Sequence, residues 1–249
     1  MTFFSCPVRA AQYIKLLANQ RQIKDAKNPE SSSLPTSSGA GAVPQNNRIN
    51  MTTLAARDFA ASPLEITGAL DFDERGDALS PRRLPSWTRT QINPMLDFML
   101  RTPSGVRIRF TTSAHTVSLT VLTTHMAGRS GRGGCAFDLV CGDTVHTRRH
   151  HEGNQLHFDP TGQTAPRIEP GEIYDVVFDG LGNDSKSLSL WLPHNALVEL
   201  HALAVEGGDI EPPEPFRLHW VHHGSSISHC MGADIPTGTL AVVQLTQPV

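Results

Sequence analysis

Aromatic residues are scarce in this 249-residue chain, at 6% of positions with three tryptophans and two tyrosines. A sugar-binding platform of stacked rings is therefore poorly supported. Charged residues are also few, at 18% with a net charge of −3, which argues against nucleic acid as a partner. No apolar run reaches the roughly 18 residues of a membrane span. The opening Met1-Thr-Phe-Phe-Ser-Cys-Pro is broken at Pro7 before a secretory apolar core forms. Four cysteines, Cys6, Cys135, Cys141 and Cys230, include no metal-type Cys-x-x-Cys pair. Cys135 and Cys141, on one extended strand, stand about 20 Å apart at roughly 3.3 Å per residue, beyond disulfide reach. Reduced thiols and a cytoplasmic location are the expectation.

What the chain does have is sorted by region. Residues 1–61 read as a disordered or targeting-like extension. Arg9, Lys15, Arg21, Lys24, Lys27 and Arg48 face only Asp25 and Glu30 within the first 50 positions, so mitochondrial targeting is the alternative location. Residues 8–20 are expected as one short amphipathic helix. The stretch from Ser31 to Ala42 is too polar to fold alone, and Met51 stands where the folded pattern begins.

Residues 62–205 predict a β-sandwich or jelly roll. Leu64 to Leu70, Val106 to Phe110 and Val117 to Leu122 alternate apolar and polar side chains. Further strands are expected over Ala136–Val140, Thr144–Arg148, Leu156–Phe158, Ile173–Phe178, Leu188–Leu192 and Leu197–Leu203. Gly-rich and Asp-Pro turns separate them. Trp191 is assigned to packing. Of the 12 histidines, His146, His150, His151 and His157 cluster, but without the Cys or Glu spacing of a zinc site. They read as exposed strand histidines beside Arg148 and Arg149, and no metal or cofactor is expected.

Residues 206–215 are a linker by composition, and from 216 the pattern changes. An apolar stretch, Arg217-Leu-His-Trp-Val, runs into Gly224-Ser225-Ser226 and then a helix. That is a nucleophile elbow, in which Gly224 and Ser225 make the turn and Ser226 is the nucleophile. A serine hydroxyl needs such exposure because it must meet a base and backbone N–H donors. Its own backbone N–H, at a helix N-terminus, is the expected oxyanion donor. Cys230, four residues on, is expected to pack inward.

The wording Trp220-Val-His-His-Gly-Ser-Ser-Ile-Ser-His-Cys, with Ala233 and Pro236-Thr-Gly-Thr239, resembles the first block of the SGNH, or GDSL-type, hydrolases. Arg83-Leu-Pro, Pro103-Ser-Gly-Val-Arg-Ile-Arg-Phe and Trp191-Leu-Pro-His194 resemble the branch with an N-terminal jelly roll. The resemblance implies an acyl-ester hydrolase or acyltransferase working through a Ser226 acyl-enzyme on a small-molecule or carbohydrate ester. It also implies an α/β hydrolase domain of which residues 216–249 hold only the first strand and helix. The family's later blocks, a Gly and an Asn donor and a C-terminal Asp-x-x-His, are not found after Ser226. The Trp-Pro that follows in relatives is replaced by Leu240 to Val249. A truncated, inactive chain is therefore expected. Gly182-Asn183-Asp184 and Asp143-Thr-Val-His146 imitate family blocks but precede the serine, and they read as a turn and a strand. His222, His223 and His229 belong to the motif without being its base. The alternative function is a non-catalytic β-sandwich that binds a glycan or a protein, and a third reading has a separate polypeptide supplying the missing half against the strand edge.

Overall fold

The computed structural model describes residues 50–127, 134–157, 166–215, 224 and 226–239. All of them belong to one compact unit, residues 47–249. The helix expected over residues 8–20, the strand expected over 216–223, Ser225, and the tail from Leu240 lie outside the described residues. The described part is mainly β, as expected, and its strands form two sheets that share one core.

The larger sheet is built on two long antiparallel strands, β6 (Thr116–Met126) and β13 (Leu197–Glu206). Each shares its far side between shorter strands. β1 (Met51–Ala55) and β4 (Ala78–Arg82) line β13, and β3 (Asp71–Arg75) pairs with β4. β11 (Tyr174–Phe178) and β9 (Asn154–His157) line β6, and β10 (Arg167–Glu169) pairs with β9. The smaller sheet runs β2 (Glu65–Thr67), β5 (Arg107–Thr112), β12 (Lys186–Trp191), β7 (Cys135–Cys141) and β8 (Thr144–His150), antiparallel throughout.

Alternation decides what each strand buries, because successive side chains leave opposite faces of a sheet. Val117, Leu119 and Val121 of β6 meet Phe137 and Leu139 of β7, and Leu188 and Leu190 of β12, in a core with no solvent exposure. β13 buries Val198 and Leu200, then Leu203 and Val205, a switch from even to odd positions. The switch coincides with a register shift against β6 between Leu200 and Ala202. One extra residue, His201, turns the second half of β13 over so that its apolar side still faces inward.

Three features differ from the sequence reading. Residues 51–61, assigned above to the N-terminal extension, belong to the sandwich, since β1 pairs residue for residue with β13 and leads Ala56 and Phe59 into the core. The hairpin of β3 and β4, closed by Gly76-Asp77 with Gly76 at φ 62°, lacks an apolar alternation because β4 buries Ser80 and Arg82. Helix α1 (Pro94–Arg101) also went unread, although Asn93 caps it by accepting from the Leu96 amide at 2.9 Å and Pro94 sits in its first turn.

The outer face of the smaller sheet is covered too. Trp191, 4% exposed, lies under the Arg107 guanidinium at 4.5 Å in a cross-strand row that continues to Asp138. It packs, as expected, and burial with the neighbouring Arg109 charge holds the Arg107 pKa down to about 10. The segment 206–215 is no free linker: Glu211 exchanges two 2.9 Å backbone bonds with Thr111, and Arg109 Nη2 donates to the Glu214 carbonyl at 2.6 Å.

Candidate functional site

Ser226 opens helix α2 (Ser226–His229), a single turn. Gly224 and Ser226 are exposed, and Ile227 is 74% exposed. The Cys230 amide donates to the carbonyls of Ser226 at 3.3 Å and Ile227 at 3.2 Å. Cys230 itself has φ 51°, a left-handed conformation that ends the helix. Because the chain turns there, Cys230 does not pack inward as expected. It is half-buried, with its thiol donating to the Ile227 carbonyl at 2.9 Å, and the inward residue is His229.

His229 is 7% exposed and its ring is held on both sides. Nε2 lies 2.6 Å from the His194 carbonyl, so that nitrogen carries the proton and donates. Nδ1 then accepts from Arg83 Nη2 at 3.1 Å. Thr102 Oγ1 stands 3.4 Å from Nε2 while donating to the Met99 carbonyl at 2.7 Å, and Ser104 Oγ donates to the His229 carbonyl at 3.2 Å. Burial pushes the His229 pKa down to about 4, and the nearby Arg83 and His194 add to that against the favourable His194 carbonyl. The imidazole is neutral at pH 7, and both nitrogens are engaged. It is not placed to serve as a base for Ser226, in line with the sequence reading.

The following residues are clamped to the same sandwich. His194 Nε2 donates to the Ala233 carbonyl at 3.1 Å, and burial lowers the His194 pKa as well. Arg149 pairs with Asp234 at 2.6 Å. Fully buried Asp138 accepts the Thr237 amide at 2.9 Å and the Thr237 hydroxyl at 2.7 Å. Arg83, Thr102, Ser104, Asp138 and His194 were not read as site residues. Three of the stretches that carry the family resemblance contain Arg83, Ser104 and His194, and that was the signal that could have found them.

Ser226 Oγ makes no hydrogen bond to another described residue, and His222 and His223 lie outside the described residues. Gly182 to Asp184 form the turn between β11 and β12, and Asp143 and His146 sit in the turn and strand around β8. Only His151 of the clustered histidines is exposed. His150 instead stacks on Tyr174 with ring centres 4.7 Å apart, and His157 meets Glu169 at 3.0 Å. Among the described residues no group of three or more His, Cys, Asp or Glu is arranged to hold a metal ion. A polar cleft of about 350 Å³ is lined by Asp73, Glu74, Arg75, Arg89, Asp97 and Arg101. Its charges are largely paired: Asp73 takes Arg82 and Arg89, Asp97 takes Arg82 and Arg101, and Arg75 takes Glu199. Among the described residues, no helix is long and apolar enough to cross a membrane.

Fold and site together define a two-sheet β-protein that carries a serine-bearing turn against its smaller sheet. Among solved structures it is similar to the salicylyl-acyltransferase of a tetracycline biosynthetic pathway, with a TM-score of 0.62 and 21% identity over 78% of this chain. That match covers 50% of the other chain, so this chain spans about half the length of the acyltransferase, and the likeness is one of fold. A GDSL-like lipase from Bacteroides ovatus ATCC 8483 is matched at a TM-score of 0.45 and 16% identity over 66% of this chain and 44% of that one. No protein-family model and no curated protein matches the chain.

Proposed function

We propose that this chain carries the nucleophile and the β-sandwich of an SGNH-type serine esterase or acyltransferase. The observation that carries the reading is Ser226, exposed at the start of a helix directly behind Gly224 and Ser225, on a sandwich whose fold matches that of a salicylyl-acyltransferase.

In this reading Ser226 Oγ attacks the carbonyl carbon of an acyl ester and passes its proton to a general base. The base is not among the described residues. The Ser226 backbone N–H faces no helical acceptor, as in the first turn of any helix, and donates to the oxygen on which negative charge develops. Collapse of the tetrahedral species expels the alcohol and leaves the acyl group on Oγ. Water or an acceptor hydroxyl then takes the acyl group and regenerates the serine. Small-molecule or carbohydrate esters are the substrate class.

The test is covalent labelling of the full chain with a fluorophosphonate, read by peptide mass spectrometry. Label on the peptide holding Ser226, absent in Ser226→Ala, supports the reading. A wild-type chain that takes up no more label than Ser226→Ala refutes it.

A further inference from the structure

A helix of one turn has too few internal hydrogen bonds to fix its own position, so its placement comes from tertiary contacts. In α2 Ser226 and Ile227 face solvent, and His229 is the one buried residue. Whatever holds His229 therefore holds the turn. The link to the serine is short. His229 follows Ser226 by three residues, a rise of about 4.5 Å along the helix axis. The Cys230 amide, one residue beyond His229, is bonded to the Ser226 carbonyl.

The grip on His229 comes from three separate parts of the sandwich. Arg83 follows β4, Thr102 and Ser104 lie between α1 and β5, and His194 follows β12. The contact is reciprocal, because His194 receives the His229 ring on its carbonyl and returns its own ring to the Ala233 carbonyl. A sandwich that was only tethered to the serine segment would have no need of so many converging donors and acceptors on one buried side chain.

We propose that His229 is a positioning residue for Ser226: the sandwich, through Arg83 and the His194 carbonyl, sets where the serine hydroxyl stands. The inference rests on Ser226 being the nucleophile for its catalytic meaning, and on the contacts alone for its structural one. The sandwich is then part of the reaction machinery and not a separable binding module. A reacting atom displaced by about 1 Å can lose on the order of 100-fold in rate, so loosening this turn is expected to be costly without touching the serine.

The experiment compares the full wild-type chain with His229→Phe, which keeps ring volume and loses both ring nitrogens, and with His229→Gln, whose amide can still donate to the His194 carbonyl. Residue-resolved amide exchange by NMR reports the Cys230 and Ala233 amides, with β6 and β13 amides as the fold control. Fluorophosphonate labelling reports Ser226. The expected result is Cys230 exchange at least 10-fold faster in His229→Phe with β6 and β13 unchanged, labelling slower by 10- to 100-fold, and partial return of both in His229→Gln. Unchanged Cys230 exchange, or acceleration shared equally by β6 and β13, overturns the proposal, as does a phenylalanine variant that labels at the wild-type rate. If the wild type itself labels no more than Ser226→Ala, the nucleophile reading falls, while the exchange data still decide whether His229 sets the serine's position.

Discussion

Replacing Asp138 with alanine tests how firmly the sandwich grips the segment that follows Ser226. Asp138 lies on β7 with its side chain on the outer face of the smaller sheet, fully buried beneath Pro236 to Gly238. One carboxylate oxygen accepts the Thr147 hydroxyl at 2.7 Å, and the other accepts the amide and hydroxyl of Thr237. A hydrogen bond to a charged group contributes about 1.5–3 kcal/mol net, and a buried donor left unmet costs a comparable amount. The two hydroxyls can rotate toward other acceptors, whereas the Thr237 amide is fixed by the backbone. Alanine also removes the cost of keeping a charge out of water, which offsets part of the loss. The expected result is a loss of about 2–3 kcal/mol in urea unfolding, together with fast hydrogen exchange at the Thr237 amide. Asp138→Asn should lose less, since its Oδ1 can still accept the Thr237 amide and hydroxyl while its NH2 group donates to the Thr147 hydroxyl oxygen. A change below about 0.5 kcal/mol with the Thr237 amide still protected would show that the carboxylate is not the clamp.

Two further outcomes follow from buried titrating groups. The folded His229 pKa of about 4 lies below the usual imidazole value of 6.5, so the unfolded chain binds the extra proton first as pH falls. Stability is fully present above pH 6.5 and is lost progressively down to about pH 4. His194 and His125, whose pKa values are also lowered by burial, add in the same direction. His229→Gln should therefore flatten, without abolishing, the slope of unfolding free energy against pH between 4 and 6.5, and an unchanged slope would contradict the burial of the ring. Burial likewise pushes the Cys135 thiol up to about 12, with the Tyr174 hydroxyl 3.7 Å away. Iodoacetamide at pH 8 is expected to modify half-buried Cys230 well before Cys135, as read by peptide mapping of the native protein, because only the thiolate reacts. Equal rates would mean that the core around β7 opens freely.

The strands whose pattern is local were legible. Val117 to Leu122, Ala136 to Val140 and Leu188 to Leu192 each alternate or run apolar over a few residues, and each is a strand, whereas of the stretch from Leu64 to Leu70 only Glu65–Thr67 is one, the chain turning at Gly68 with φ 87°. β3, β4 and β10 escaped because their burial is set by what packs on them. Arg82 is inside only because Asp73 and Asp97 meet it there, and β10 is exposed along its whole length. α1 was announced by Asn93-Pro94 but was masked by the surrounding β pattern. At the site, Ser226 stood out by its Gly-Ser turn, while its support did not. His229 is 127 residues from Thr102 and 146 from Arg83, and no periodicity spans such separations.

The sequence by itself thus determined the mainly β class, most of the strands and the packing role of Trp191. Each of these is a property of neighbouring side chains and the backbone they favour. Only the tertiary structure decided that residues 51–61 belong to the sandwich, that residues 206–215 are docked, and that His229 and not Cys230 turns inward. Those outcomes depend on which distant donor meets which acceptor once the two sheets have closed, and burial of a polar group is settled by its partner, not by its own identity.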